Sequence, residues 1–278
     1  MTAEERFERA RPRLVRLAYS ELGDVGEAEE VVQDAWLRLQ RSDVAIENLD
    51  GWLTTVVARL ALDRLKSARA WREAYVGPWL PEPVATDDPA DRLTLDESVS
   101  YALLTVLERL SPAERTAFVM HDVFDLPFEN IAEVVGRTPE AVRQLASRAR
   151  RRVNRERPRF ETSREEHDRA VRAFARAVAV GDLEELLAVL DPDVIWTSDG
   201  GGQVSAVRKP QRGGARVARA WAALSHNLHR PIEIELNGRL GLILPDADGH
   251  RAAISFAVTG GRITRIDAVR NPEKLRRL

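Results

Sequence analysis

Residues 126–155, LPFENIAEVVGRTPEAVRQLASRARRRVNR, constrain the fold more than any other stretch. Their pattern predicts two short helices joined by a tight turn. Ile131, Ala132, Val134 and Val135 form the apolar stripe of the first helix, and Gly136 supplies permissive backbone at the turn. Thr138 is placed to cap the second helix. Pro139 stands at its first position, where no amide proton is missed. Val142, Leu145, Ala149 and Val153 recur at helical spacing and are expected to face inward. Arg143, Gln144, Ser147, Arg148, Arg150, Arg151 and Arg155 are left outward, and Glu140 is the only acid between Thr138 and Arg155. A solvated surface helix usually mixes both signs. A helix-turn-helix charged this way lays its second helix in a DNA major groove, where arginine bonds guanine edges and phosphates.

The other constraints are broader. A chain of 278 residues holds two domains or three small ones, and 44% hydrophobic residues are enough to build their cores. No apolar run is long enough to span a bilayer, and the charged N-terminal stretch lacks the apolar centre of a signal peptide. Zero cysteines exclude disulfides and cysteine metal sites, and the five histidines show no ligand spacing. The expectation is a cytoplasmic protein without cofactor, metal or catalytic residue. The net charge of −2 excludes a basic DNA binder overall, so segregation of charge along the chain matters more than its sum.

Residues 1–74 read as an all-helical domain: a first helix to about Glu21, a second capped by Asp24, and a third from about Gly51 to Arg72. Residues 75–92 read as a linker, because Pro78, Pro81, Pro83 and Pro89 forbid a continuous helix and Glu82, Asp87, Asp88 and Asp91 make it acidic. Tyr75, Trp79 and Leu80 are more apolar than a tether needs, so part of it is expected to dock on a domain. Residues 93–158 return to helix, with Ser111-Pro112-Ala113-Glu114 a capping box ahead of the helix-turn-helix. Residues 163–278 read as α+β: two helices, a strand at Val194 to Thr197, a helix near Ala215 to Leu224, and four strand-like runs. Asn237-Gly238, Asp248-Gly249 and Gly260-Gly261 separate those runs as hairpin turns of an antiparallel meander.

Residues 1–155 resemble bacterial RNA polymerase sigma factors of the extracytoplasmic-function (ECF) type. EAEEVVQDAWLRL (27–39) resembles the region 2 helix that binds the polymerase β′ clamp. WLTTVVARLALDRLKSARA (52–70) is similar to the segment that opens and reads the −10 element. Residues 107–153 resemble region 4, which reads the −35 element. The tail resembles the SnoaL-like fold, a cone-shaped α+β barrel. ECF members carrying it show a linker motif like Tyr75-Val76-Gly77-Pro78-Trp79-Leu80-Pro81-Glu82-Pro83, a DGGG motif, here Asp199-Gly200-Gly201-Gly202, and an NPxKL motif, here Asn271-Pro272-Glu273-Lys274-Leu275. Gln203 stands where a basic residue is usual, and Arg59 where some members place a base-capturing Asn, so a base-flipping role does not transfer to Arg59.

The resemblance implies a multi-domain fold of two all-α sigma domains followed by the barrel, with core polymerase (β′ clamp and β flap) and promoter DNA as partners. Glu27, Glu30, Gln33, Asp34 and Arg38 would meet polymerase. Asn48, Arg59, Asp63, Arg64, Lys66 and Arg69 would serve the −10 region, Asp63 orienting Arg59 or Lys66 across one helical turn. Arg143, Gln144, Ser147 and Arg148 would read −35 base edges, with Arg150 and Arg151 on phosphates. Tyr75, Gly77, Pro78, Trp79, Leu80, Pro81, Asp199, Gly200, Gly201, Gly202, Asn271, Pro272, Lys274 and Leu275 would form a regulatory contact between domains. The barrel would offer room for an unidentified small ligand near Trp196, Asp199, Trp221, His226, His229 and Asp267. Two rivals remain at this stage. One is a one-component helix-turn-helix regulator sensing a ligand in the barrel, which leaves residues 24–72 unexplained; the other is an enzyme fused to a DNA-binding module, which no nucleophile, phosphate-loop or metal motif supports.

Overall fold

The computed structural model describes residues 2–42, 46–73, 75–86, 100–156 and 162–278, without the side chains of 68–73. These fall into two compact units. One holds the helices up to Glu73 and those from Leu103 to Glu156; the other holds residues 75–86, 100–102 and everything from 162 onward. The expected resumption of helix at Leu93 lies outside the described residues, as do Asp87, Asp88, Pro89 and Asp91.

In the first unit, α1 (Ala3–Leu22), α2 (Val25–Gln40) and α3 (Leu49–Glu73) pack by apolar stripes. Thr2 and Glu5 form a capping box on α1, and Asp24 accepts from the Glu27 amide at 2.8 Å to open α2. Leu14, Leu17, Val31, Val32, Leu53 and Val57 supply the buried surface. Trp36 is only half-buried, stacked on Phe7 with centroids 4.7 Å apart. After α4 (Tyr101–Leu107), the Ser111–Glu114 capping box opens α5 (Pro112–Phe118), which runs into a single π-helical turn at Val119–Val123. The helix-turn-helix follows as α6 (Phe128–Val135) and α7 (Pro139–Glu156). Gly136 adopts φ 70°, the left-handed geometry the turn requires, and Thr138 accepts from the Ala141 amide. Val142, Leu145, Ala149 and Val153 are buried as expected, while Val135 is half-buried.

The second unit opens with α8 (Arg164–Val180), α9 (Leu183–Val189) and β1 (Leu190–Asp199). It continues through β2 (Gln211–Arg212), α10 (Gly214–Leu224), β3 (Ile232–Leu236), β4 (Arg239–Pro245), β5 (Arg251–Thr259) and β6 (Arg262–Val269). The sheet order is β2-β1-β6-β5-β4-β3. β3 to β6 are the antiparallel meander; β1 enters parallel to β6, a pairing that needs the long connection between them. Alternation along the strands makes two cores. Ile254, Phe256, Ile266 and Trp196 face the helices and pack with Phe174 and Trp221, whereas Ala253 and Val269 face the opposite side with Leu80, Tyr101 and Leu275. Linker residue Leu80 is therefore part of a core.

Candidate functional site

On the recognition helix α7, a shallow groove is lined by Glu140, Arg143, Gln144, Ser147, Arg148 and Arg151. Five of these are the expected DNA contacts, brought to one face by the burial of Val142, Leu145 and Ala149. The Arg143 guanidinium lies 5.1 Å from the centre of the Phe128 ring, which limits its freedom before any ligand arrives. Arg150 is committed elsewhere: its Nε lies 2.5 Å from Asp122, so Arg151 is the more outward of the two residues expected on phosphates. Arg152, absent from the expected set, donates to the Arg109 carbonyl at 2.8 Å and anchors the helix.

The region 2 candidates divide. Arg64 reaches both Glu30 (2.8 Å) and Asp34 (3.5 Å), so two expected polymerase contacts and one expected DNA contact meet in a network. Asp63 pairs with Lys66 at 3.1 Å rather than with Arg59. Arg59 donates instead to the Glu133 carbonyl on α6. Asn48 caps α3 by accepting from the Gly51 amide at 3.0 Å. Glu27 is half-buried, Gln33 and Arg38 are exposed, and the Arg69 side chain lies outside the described residues.

Between α1 and α5 lies a charged seam that the sequence reading missed. Arg115, only 2% exposed, donates from Nε and Nη2 to the Ser20 carbonyl and pairs through Nη1 with Glu108. Thr116 donates to Glu21 Oε2 at 3.1 Å; Glu21 Oε1 has no hydrogen-bond partner among the described residues. Burial pushes the Glu21 carboxyl up to about 7, against the opposing pull of Arg115 and the Thr116 hydrogen bond. Glu21 continues the inward spacing of Leu14 and Leu17, and that misplaced acid on an apolar stripe is the signal that marks it.

In the second unit, the three motifs converge on Asp199, which is fully buried at the end of β1. Its Oδ1 accepts from the Tyr75 hydroxyl (2.7 Å) and the Gly201 amide (3.0 Å); its Oδ2 accepts from the Leu80 amide (2.9 Å) and Lys274 Nζ (2.8 Å). Lys274 also donates to the Leu80 carbonyl and lies 3.9 Å from the Trp79 ring centre. Asn271 Nδ2 donates to the Tyr75 oxygen, while its Oδ1 accepts from the Glu273 amide. Burial, reinforced by bonding to the Asp199 carboxylate, drives the Tyr75 hydroxyl far above its ordinary pKa and keeps it a donor. The glycines of the DGGG motif are steric necessities: a Cβ on Gly200 would meet the Val204 carbonyl at 2.4 Å, and one on Gly201 (φ 64°) would meet Asn271 at 2.5 Å. Leu275 is buried, and Pro272 starts a short 3-10 turn. Further along, Val84 and Thr86 bond the Asn237 and Glu235 backbone, so the linker extends the β3 edge, and the Tyr101 hydroxyl donates to the Pro81 carbonyl.

The proposed ligand lining does not assemble around an Asp–His pair. Trp196 and Trp221 pack at 5.0 Å inside the barrel, with Phe174 5.2 Å from both Trp221 and Phe256. His226 and His229 are exposed, Asp199 serves the linker, and Asp267 pairs with Arg265 at 2.6 Å. His167 is buried instead, its ring against the Phe256 carbonyl and Asp168, and burial lowers its pKa.

Residues 6–71 match Sigma-70 region 2, residues 100–153 Sigma-70 region 4, and residues 171–274 the SnoaL-like domain. The ECF RNA polymerase sigma factor SigJ of Mycobacterium tuberculosis (strain ATCC 25618 / H37Rv) is 39% identical, covering 96% of this chain and 91% of SigJ. The probable ECF RNA polymerase sigma factor SigI of the same strain is 38% identical over 94% of this chain and 91% of SigI. The crystal structure of M. tuberculosis SigJ superposes with a TM-score of 0.80, at 35% identity over 98% of this chain and 97% of that one. The chain belongs to the ECF RNA polymerase sigma factors, with a SnoaL-like domain at its C-terminal end. The reading as a one-component ligand-sensing regulator gives way to it. Among the described residues no helix is long and apolar enough to cross a membrane.

Proposed function

We propose that this sigma factor joins core polymerase through the α2 surface of Glu27, Glu30, Gln33, Asp34 and Arg38. On this reading α3 and Asn48 serve the −10 element, α7 serves the −35 element, and the tail governs activity by holding the linker. It works in the cytoplasm, where polymerase and chromosome are, and by binding rather than by catalysis. The Asp199 junction carries the regulatory part. Elements named −10 and −35 lie about 25 base pairs apart, roughly 85 Å of duplex. Between Glu73 and Tyr101 run 27 residues, which reach about 90–95 Å when extended. With residues 75–86 tied to the tail, those 12 hold a fixed span and only the 14 from 87 to 100 stay extensible, adding at most about 50 Å. Release of the junction thus lengthens the reach available between the two DNA stations, and its closure shortens it.

The test is transcription in vitro with purified core polymerase on an upstream-sequence library, comparing the full chain with truncations after Gln211 and after Val269. The expected result is factor-dependent transcription whose level changes on truncation. Unchanged levels with both truncations would overturn regulation by the tail; no transcription by any form would overturn the polymerase role. Arg143→Ala should cost about 1–3 kcal/mol of discrimination at one promoter position, read from binding to single-base promoter variants.

A further inference from the structure

The charge of the tail is divided in a way that its role in holding the linker does not require. From Gly200 to Ile232 there are six cationic side chains, Arg208, Lys209, Arg212, Arg216, Arg219 and Arg230, and no acid. The rest of residues 162–278 carries 12 cations and 15 acids. All six cations are exposed.

Elsewhere in this domain most cations have a bonded partner or acidic neighbours, Arg239 and Arg276 being the exceptions among the described residues. Arg164 pairs with Glu235, Arg172 with Glu233, Arg265 with Asp267, Arg270 with Asp246, Lys274 with Asp199 and Arg277 with Glu82. Arg251 and Arg262 donate to backbone carbonyls, and Arg169 and Arg176 share a surface recess with Glu165 and Asp168. None of the six enters an ion pair among the described residues. Asp191 and Asp193 pass close by, the Asp191 carbonyl lying 3.0 Å from a Cβ built on Gly214, yet their carboxylates form no pair with the stripe.

Two of the six are aligned by α10. Val217, Ala218 and Trp221 turn one face of that helix into the core, leaving Arg216 and Arg219 outward between the small exposed residues Ala215 and Ala223; Arg212, at the end of β2, lies two residues before the helix. Cations three residues apart on a helix sit about 5–6 Å apart and repel by a few tenths of a kcal/mol. Long arginine side chains rooted at that spacing can reach neighbouring phosphates of one nucleic acid strand, and the small neighbours let a backbone approach the helix. A duplex recruits such a surface by releasing condensed counterions, with no demand on sequence.

We propose that the outward face of β2 and α10, led by Arg212, Arg216 and Arg219, is a third DNA-contact surface that grips the phosphate backbone of duplex DNA beside the promoter elements. It goes beyond the proposed function and rests on this chain working at DNA.

The experiment uses the full chain bound to core polymerase, with dissociation constants for a promoter fragment and for an unrelated duplex measured across a salt series. The triple variant Arg212→Gln, Arg216→Gln, Arg219→Gln should lower the slope of log affinity against log salt by about 2–3. It should weaken both duplexes about equally while keeping the melting temperature of the unaltered chain. A control triple, Arg169→Gln, Arg176→Gln, Arg276→Gln, removes the same charge elsewhere in the tail and should leave the slope in place. An unchanged slope in the first triple, or an equal loss in the control, overturns the proposal. So does an unchanged DNA slope accompanied by lost binding to phosphatidylserine-containing vesicles, which would assign the stripe to a membrane surface. Should the unaltered complex bind neither duplex, the functional reading falls as well.

Discussion

Two buried carboxylates, one in each unit, are treated in opposite ways. Asp199 receives four donors on its two oxygens, one of them the Lys274 ammonium. Glu21 receives one hydrogen bond on Oε2 and none on Oε1 among the described residues, and Arg115 beside it spends its guanidinium on Ser20 and Glu108. A buried charge is tolerable when its partner and all its lone pairs are satisfied, and costly otherwise. Asp199 is built as a fully satisfied junction between linker and barrel. Glu21 sits on a seam joining α1 of region 2 to α5 of region 4, and its proton decides how costly that seam is.

The hardest test of the contrast is Lys274→Met. Removing the ammonium while leaving Asp199 buried should cost the tail about 3–5 kcal/mol, visible as a lower urea midpoint and faster proteolysis within 75–86. Adding Asp199→Asn should recover part of the loss. A stability change under about 1 kcal/mol would mean that the junction is not the closed unit its geometry implies.

Glu21 should differ by responding to pH. Its carboxyl is raised from 4.5 to about 7 by burial, so between those values the folded chain holds a proton that the unfolded chain has released. The stability from this group is fully present below about pH 4.5 and is lost as pH rises through 7. Glu21→Gln should remove that fall and leave the first unit more stable at pH 8, by at most roughly 3 kcal/mol. Parallel pH profiles for the two proteins would show the seam to be indifferent to this proton.

Tyr75→Phe should matter least. It deletes one of four donors to Asp199, and the Lys274 pair and two amides remain, so a loss of about 1 kcal/mol is expected from denaturant unfolding of the tail. A loss approaching that of Lys274→Met would assign the junction to the aromatic anchor instead of the ion pair.

Much of this was legible beforehand. The helix-turn-helix was, because cap, glycine turn and apolar stripe are local and agree. The meander β3 to β6 was, because its turn pairs stand at hairpin spacing, whereas the parallel entry of β1 was not, since the partners it aligns, such as Trp196 and Ile266, stand 70 positions apart. The motif residues Tyr75, Asp199 and Lys274 stand out in the sequence, but their hydrogen bonds do not. Asn48, Arg150 and Arg64 show the limit most clearly: each reads as a surface group for DNA, and each has a structural partner in Gly51, Asp122 or Glu30.

Local spacing therefore determined which segments are helices and strands, which faces carry arginine and which family pattern the chain follows, because those properties depend on neighbours within one or two turns. The partner of each buried charge was decided only by the tertiary structure. Whether a carboxylate meets four donors or one depends on groups brought together from far along the chain, 75 residues for Asp199 and Lys274 and 95 for Glu21 and Thr116. The low polarity around a buried group makes that difference the one that matters energetically.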